Sequence, residues 1–154
     1  VRVADHKLFP ILVTEFNEHW GRFSPDGKWI AYTSNETGRS EIFVRAFSPD
    51  NPGNSAKWHI STGTGGFPRW RADGKELFYL GENQQMMAVS VKAATAGQFE
   101  AGIPRVLFAT RALVGNIDTY VVTSDGQRFL VDEEEEVVPA PATVVINWRP
   151  LLKR

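Results

Sequence analysis

The three histidines, His6, His19 and His59, are the residues of this chain best suited to acid–base work or metal binding, and their spacing argues against both. Paired histidine ligands come close together on one element, as in HExxH, and here no two lie within five residues of each other. No GxSxG turn presents a serine nucleophile, and the chain has no cysteine, so thiolate catalysis, thiolate zinc sites and disulfides all drop out. Gly63-Thr64-Gly65-Gly66 has the glycines of a phosphate cradle without the following Lys-Ser/Thr or a helix to open, and it reads as a loop entering a strand. Asp26, Asp73 and Asp125 would make a carboxylate set if they converged. Each is followed by glycine between apolar runs, however, which marks a turn. Asp132 to Glu136 concentrates five of the 18 acidic residues and leaves the rest of the chain at +4. Followed by Val137-Val138-Pro139-Ala140-Pro141, this run reads as a solvated loop between two strands, with a cation or basic-partner site as the sharper alternative. These residues imply no metal and no cofactor.

The elements that must position any site are set by a repeat. Asp26-Gly27, Asp73-Gly74 and Asp125-Gly126 are spaced by 47 and 52 residues. Three residues before each Asp stands Phe23, Trp70 or Val122, and five and six after it come Ala31-Tyr32, Phe78-Tyr79 or Leu130-Val131. Asp-Gly between apolar runs predicts a two-residue type I' hairpin in each unit. The strands before the turns are Trp20 to Ser24, Pro68 to Ala72 and Thr119 to Ser124. Those after them are Trp29 to Ser34, Glu76 to Leu80 and Arg128 to Asp132. A third strand follows in each unit: Glu41 to Phe47, Gln85 to Lys92 and Thr143 to Trp148. One more run lies ahead of each hairpin: Leu8 to Val13, Lys57 to Ser61 and Arg105 to Ala109.

Counted this way, four strands in each of three units make twelve, with repeats at about 8–47, 57–92 and 105–148 in one segment spanning 1–154. The middle strands ELFYL, RFLV and TVVINW are apolar at consecutive positions, which predicts sheets buried on both faces. No capped 3.6-residue stripe predicts a helix. The fold class is therefore all-β, with three four-stranded antiparallel blades of a propeller.

The composition fits that reading. Hydrophobic residues make up 42% of 154 residues, enough for a core, and the net charge of -1 supplies no basic field for nucleic acid or an anionic membrane. No apolar stretch approaches the roughly 20 residues a membrane-spanning helix needs.

The stretch Phe23-Ser24-Pro25-Asp26-Gly27-Lys28-Trp29-Ile30-Ala31-Tyr32-Thr33-Ser34, followed by Glu41-Ile42-Phe43-Val44, resembles the TolB-like propeller repeat, also called the WD40-like or PD40 repeat. Pro68-Arg69-Trp70-Arg71, Asp73-Gly74-Lys75-Glu76-Leu77-Phe78-Tyr79, Asp125 to Val131 and Thr143 to Trp148 resemble the last blades of propellers attached to bacterial serine/threonine protein kinases. The second and third units depart from the pattern at Ala72 and Ser124, where the first has Pro25. The resemblance implies a non-catalytic module for protein–protein interaction or sensing, in the C-terminal part of a larger bacterial protein. It favours a periplasmic or extracytoplasmic setting and leaves the cytoplasm open. No HRD or DFG element is present, so the chain itself carries no kinase chemistry. An accessory propeller gating a peptidase or other hydrolase, and a carbohydrate- or peptide-binding propeller, are the competing functions.

In a propeller the loops entering the innermost strands converge on the channel rim. The candidate ligand-binding residues there are Glu18, His19 and Trp20 in the first unit, Phe67, Arg69 and Trp70 in the second, and Asn116, Asp118 and Tyr120 in the third. The alternative is that their aromatic rings simply pack between blades. Closed rings need about four to eight blades, so three are half of a six-bladed ring. The expected partner is a second copy of the chain, or further blades upstream, covering apolar outer faces of the first and third units.

Overall fold

The computed structural model describes residues 6, 8, 10–48, 56–93, 98–113 and 119–133. Its architecture is all-β and antiparallel. Among the described residues there are eleven strands: β1 (Glu18–Phe23), β2 (Trp29–Ser34), β3 (Glu41–Ala46), β4 (Lys57–His59), β5 (Gly65–Trp70), β6 (Glu76–Gly81), β7 (Gln85–Ala93), β8 (Phe99–Ala101), β9 (Arg105–Ala109), β10 (Tyr120–Val122) and β11 (Phe129–Val131). They form three sheets: β1-β2-β3-β4, then β5-β6-β7 with β8 and β9 both paired to β7, then β10-β11. The expected strand Thr143 to Trp148 lies outside the described residues.

The three Asp-Gly turns do form, but not as type I' turns, which need positive φ at the Asp as well. Only the glycines adopt it, at φ 69, 71 and 72 for Gly27, Gly74 and Gly126. Each glycine N–H donates to the carbonyl three residues back, at Ser24, Arg71 or Thr123. Pro25 and Asp26, and their equivalents, are thus the central pair of the turn and glycine is its last residue. The Asp side chain completes the turn by accepting the N–H two residues on, from Lys28 (3.1 Å), Lys75 (2.9 Å) or Gln127 (3.0 Å). A second donor comes from the residue two before it: Ser24 Oγ (2.6 Å), Arg71 Nε (2.7 Å) or Thr123 Oγ1.

The strand assignment of the units is shifted by one. Lys57–His59 pairs with β3 and is the outer strand of the first sheet, and Arg105–Ala109 pairs with β7 in the second. A chain leaving the third strand folds back beside it, as sequential strands usually do, before crossing to the next sheet. Leu8 to Val13 is not a strand among the described residues. Pro10 within it lacks the N–H that a strand ladder uses. β8, a short strand on the far end of β7, has no counterpart in the repeat pattern.

The sheets stack face to face. Between the first and second lie Trp29, Ala31, Ile42, Val44, Leu77, Tyr79, Val89, Val91 and, from β8, Phe99. Between the second and third lie Phe67, Phe78, Leu80, Met86, Ala88, Ala112 and Tyr120. β6 supplies both seams by strict alternation, Leu77 and Tyr79 one way and Phe78 and Leu80 the other, which is why ELFYL is apolar throughout. RFLV behaves differently. Phe129 and Val131 pack inward, whereas Leu130 is 73% exposed. The outward face of the first sheet is not bare either, since Ile11, Leu12 and Phe47 pack over Ile30, Tyr32 and Phe43.

The extra length of the third unit has a definite location. Glu18 pairs with Ser34 and Gly65 with Gly81, each partner standing eight residues after its Asp. The equivalent pair in the third sheet is Ala112 with Glu133. Thr119 and Tyr120 resume the strand line, and residues 114–118 ahead of them lie outside the described residues.

Candidate functional site

The inner edge of the stack is made by β1, β5 and β10, the first strand of each sheet. An edge strand leaves half its backbone groups unpaired, which lets β5 carry Pro68 and lets the strands bulge. The bulges in β1 and β5 fall between His19 and Arg22 and between Gly66 and Arg69. Each holds one aromatic residue in the left-handed region, Trp20 at φ 54 and Phe67 at φ 58. Both stand six residues before the turn Asp. Positive φ is costly for a bulky side chain, so this geometry survives only where neighbours enforce it. Here the two rings enforce each other, with centroids 4.0 Å apart at 30°.

Tyr120 joins them from the third sheet. Its buried hydroxyl donates to Phe67 O at 2.8 Å and so satisfies a carbonyl that the bulge frees. Burial pushes the phenol well above its ordinary range, with Arg69 and Arg22 acting in the opposite direction. The Arg69 guanidinium lies 5.8 Å from the centre of the Tyr120 ring. His19 is exposed, its ring 5.4 Å from that of Trp20. Glu18 accepts from Thr14 Oγ1.

Trp20, Phe67, Arg69 and Tyr120 therefore come together, with His19 and Glu18 at one side. Trp70 does not belong with them: its indole Nε1 donates to Arg22 O at 3.1 Å and its ring meets Phe99 edge-on in the first seam. Asn116 and Asp118 lie in 114–118, outside the described residues. Arg22 stands four residues before Asp26, as Arg69 does before Asp73, and its charge also acts on Tyr120.

A cavity of about 190 Å³ opens beside the aromatic pair, walled by Trp20, Phe67, Gly65, Gly66, Gly81 and Gln84. Glycine is required at Gly65 because a Cβ there would meet Ile42 Cγ1 at 2.8 Å. The glycine-rich loop is thus a close-packing device. Gln84 is itself at positive φ, 57, on the short turn between β6 and β7.

A second polar cluster lies on the first sheet. The Glu41 side chain is 1% exposed and accepts from Thr37 Oγ1 (2.6 Å) and Arg39 Nε (2.8 Å), with His59 Nε2 at 3.1 Å. Burial is the largest effect and opposes ionisation of this carboxyl, but the Thr37 and Arg39 donors and the Arg39 charge help to outweigh it and hold the group below its usual range. The turn carboxylates behave similarly. The paired hydrogen bonds from Arg71 lower Asp73 to about 2, and Thr123 and Gln127 N lower Asp125. At Asp26 burial is the largest single effect and opposes ionisation, but the bonds from Ser24 and Lys28 N and the Lys28 charge together exceed it and lower the group. Each Asp is committed to its own turn, and among the described residues no three His, Asp or Glu side chains converge to hold a metal ion.

No family model matches the chain, and no curated protein matches it.

Proposed function

We propose that the three stacked sheets are blades of a TolB-like β-propeller, half of a six-bladed ring, and that the module is non-catalytic. It binds a protein or peptide partner at the rim where β1, β5 and β10 converge. The observation that carries this reading is the meeting of Trp20, Phe67, Arg69 and Tyr120, drawn from three successive sheets onto one open edge, with two aromatic residues held in left-handed bulges. Bulges re-aim side chains beside binding sites, and aromatic residues with arginine carry most of the energy of recognition surfaces. The committed turn carboxylates and the missing nucleophile motifs favour binding over hydrolysis as the role of this edge. A kinase-linked bacterial origin and an extracytoplasmic setting follow from the sequence resemblance alone.

A random-peptide array probed with the full chain tests the reading. Specific binders are expected, their signal falling at least tenfold with Arg69→Glu and holding with Lys92→Glu at the opposite, turn-bearing end. An array without binders, or binding indifferent to Arg69→Glu, overturns it.

A further inference from the structure

The cavity beside the Trp20–Phe67 pair is built from parts that packing alone does not require. Its floor is buried and apolar, with the Phe67 and Leu80 side chains and the bare backbone of Gly65 and Gly66. Its mouth is polar, with Ser40 and Gln84 exposed and Thr64 half-buried. An apolar floor under a few polar groups is the usual form of a ligand pocket.

The three glycines of the wall are not equivalent. A Cβ at Gly65 would meet Ile42 Cγ1 at 2.8 Å, and one at Gly81 would meet Met87 Cγ at 2.8 Å, so the fold itself excludes a side chain at both. Gly66 differs. A Cβ there would meet only the Trp20 ring, at an ordinary 3.5 Å, and its φ is not positive. Neither sterics nor backbone conformation demands glycine at this position. A side chain would instead take up space against the Trp20 ring, in the cavity that both residues line. The backbone points to the same place. Of the five non-glycine residues at positive φ among the described ones, Trp20, Phe67 and Gln84 line the cavity and Asn83 adjoins Gln84. Such conformations cost energy and gather at ligand clamps.

Size and lining select the occupant. An apolar cavity of roughly 150 Å³ takes one benzene ring. The volume of about 190 Å³ here has room for a ring and the methylene that carries it. Trp20 and Phe67 offer a third ring the offset or edge contacts that aromatic groups prefer. Among the described residues no ionisable side chain lines the cavity, so the occupant is uncharged.

We propose that this cavity is a pocket for one phenylalanine side chain of the peptide that binds the rim. The inference deepens the binding reading given above and rests on it. Phe67 belongs to both places, as a wall of the pocket and as the residue whose carbonyl Tyr120 holds, and Arg69 follows two residues on along β5. A peptide lying along this edge meets the pocket and the arginine in turn.

Amide NMR spectra of the full chain, titrated with N-acetyl-phenylalaninamide at millimolar concentration, test it. The expected shifts fall on the Gly65, Gly66 and Gly81 amides and the Trp20 indole N–H, and N-acetyl-alaninamide is expected to cause none of them. Gly66→Val fills the pocket and is expected to weaken the phenylalanine probe about tenfold, the effect of one ring denied burial. Gly66→Ala serves if Gly66→Val fails to fold. Peptides selected on the array are expected to share a phenylalanine and to lose binding with the same substitution. A probe that shifts none of these signals, or shifts them equally in the Gly66 variants, overturns the proposal. Array peptides that bind through Arg69 and ignore the Gly66 substitutions remove the pocket and leave the rim standing as the binding site. A probe that fills the pocket beside an array without binders removes the peptide as the source of the ring, and the binding reading with it.

Discussion

The two seams of the stack are built on opposite faces of the same sheet, yet they hold by different means. The first is a broad aromatic and aliphatic layer, crossed at its edge by the Trp70 Nε1–Arg22 O hydrogen bond. Trp29 meets Trp58 edge-on at 5.4 Å and Phe99 at 5.1 Å, and Phe99 seals the turn-bearing end beneath Trp70. The second receives only two buried hydrophobic side chains from the third-sheet side among the described residues, Ala112 and Tyr120. It depends on individual contacts: the Tyr120 hydroxyl on Phe67 O, Ala72 N–H on Ser124 O, and Gly126 seated against Arg71 and Phe78. Where four or five strands face each other across a seam, area can carry it; where only β10 and β11 are described on one side, the directional contacts stand out.

Leu77 and Leu80 test that contrast with chemistry held constant, since they lie on opposite faces of β6. Leu77→Ala is expected to cost about 4–5 kcal/mol, and Leu80→Ala, beside an existing cavity that lets neighbours relax, about 2–3 kcal/mol. Equal losses in urea unfolding would break the comparison. Tyr120→Phe keeps the ring and strands the buried Phe67 carbonyl, for an expected loss of about 1–3 kcal/mol by the same measurement. Next comes Gly126→Ala, set against Gly27→Ala. Both glycines have positive φ, but a Cβ at Gly27 meets open space, while one at Gly126 meets Arg71 Cδ at 2.8 Å. The expected losses are about 2–3 and about 1 kcal/mol, and the excess at Gly126 measures the third sheet's seat on the second.

The smallest effect is one of pH. Glu41 titrates below its ordinary value of 4.5 in the folded chain, so its contribution to stability is full above that value and lost as pH falls through the folded one. Glu41→Gln is expected to flatten this part of the acid limb of a stability profile. An unchanged acid limb would show that the Thr37, Arg39 and His59 contacts stabilise nothing.

Much of the fold was readable because it is written in turns and alternation. Asp-Gly flanked by apolar runs placed all three hairpins, and the boundaries of Trp29–Ser34 and Arg105–Ala109 agree to the residue. What failed was phase. A short run such as Lys57–His59 carries no mark of which neighbour it will pair with, because pairing is decided by the path of the chain in space. The turn type failed for a related reason: Asp-Gly tolerates positive φ at both residues, and only the Asp side chain bonding two residues forward shows that it is not used. At the candidate site, charge and aromaticity picked out residues on β1, β5 and β10, but they could not separate Trp20, which faces Phe67, from Trp70, which turns into the first seam. The bulge that makes this difference leaves no residue type behind. β8 leaves no signal in the repeat, since Phe99 has no equivalent in the other units.

The out-of-phase outer strands also bear on how the chain folds as it leaves the ribosome. The first sheet cannot be completed until His59 has emerged, by which time the connection to β5 is next to be made, and the second waits in the same way for Ala109. Synthesis proceeds from the N-terminus at roughly 5–20 residues per second, so each sheet spends seconds with a bare edge before its last strand arrives. The delay ties consecutive sheets together in time, because the segment that finishes one also delivers the chain to the start of the next.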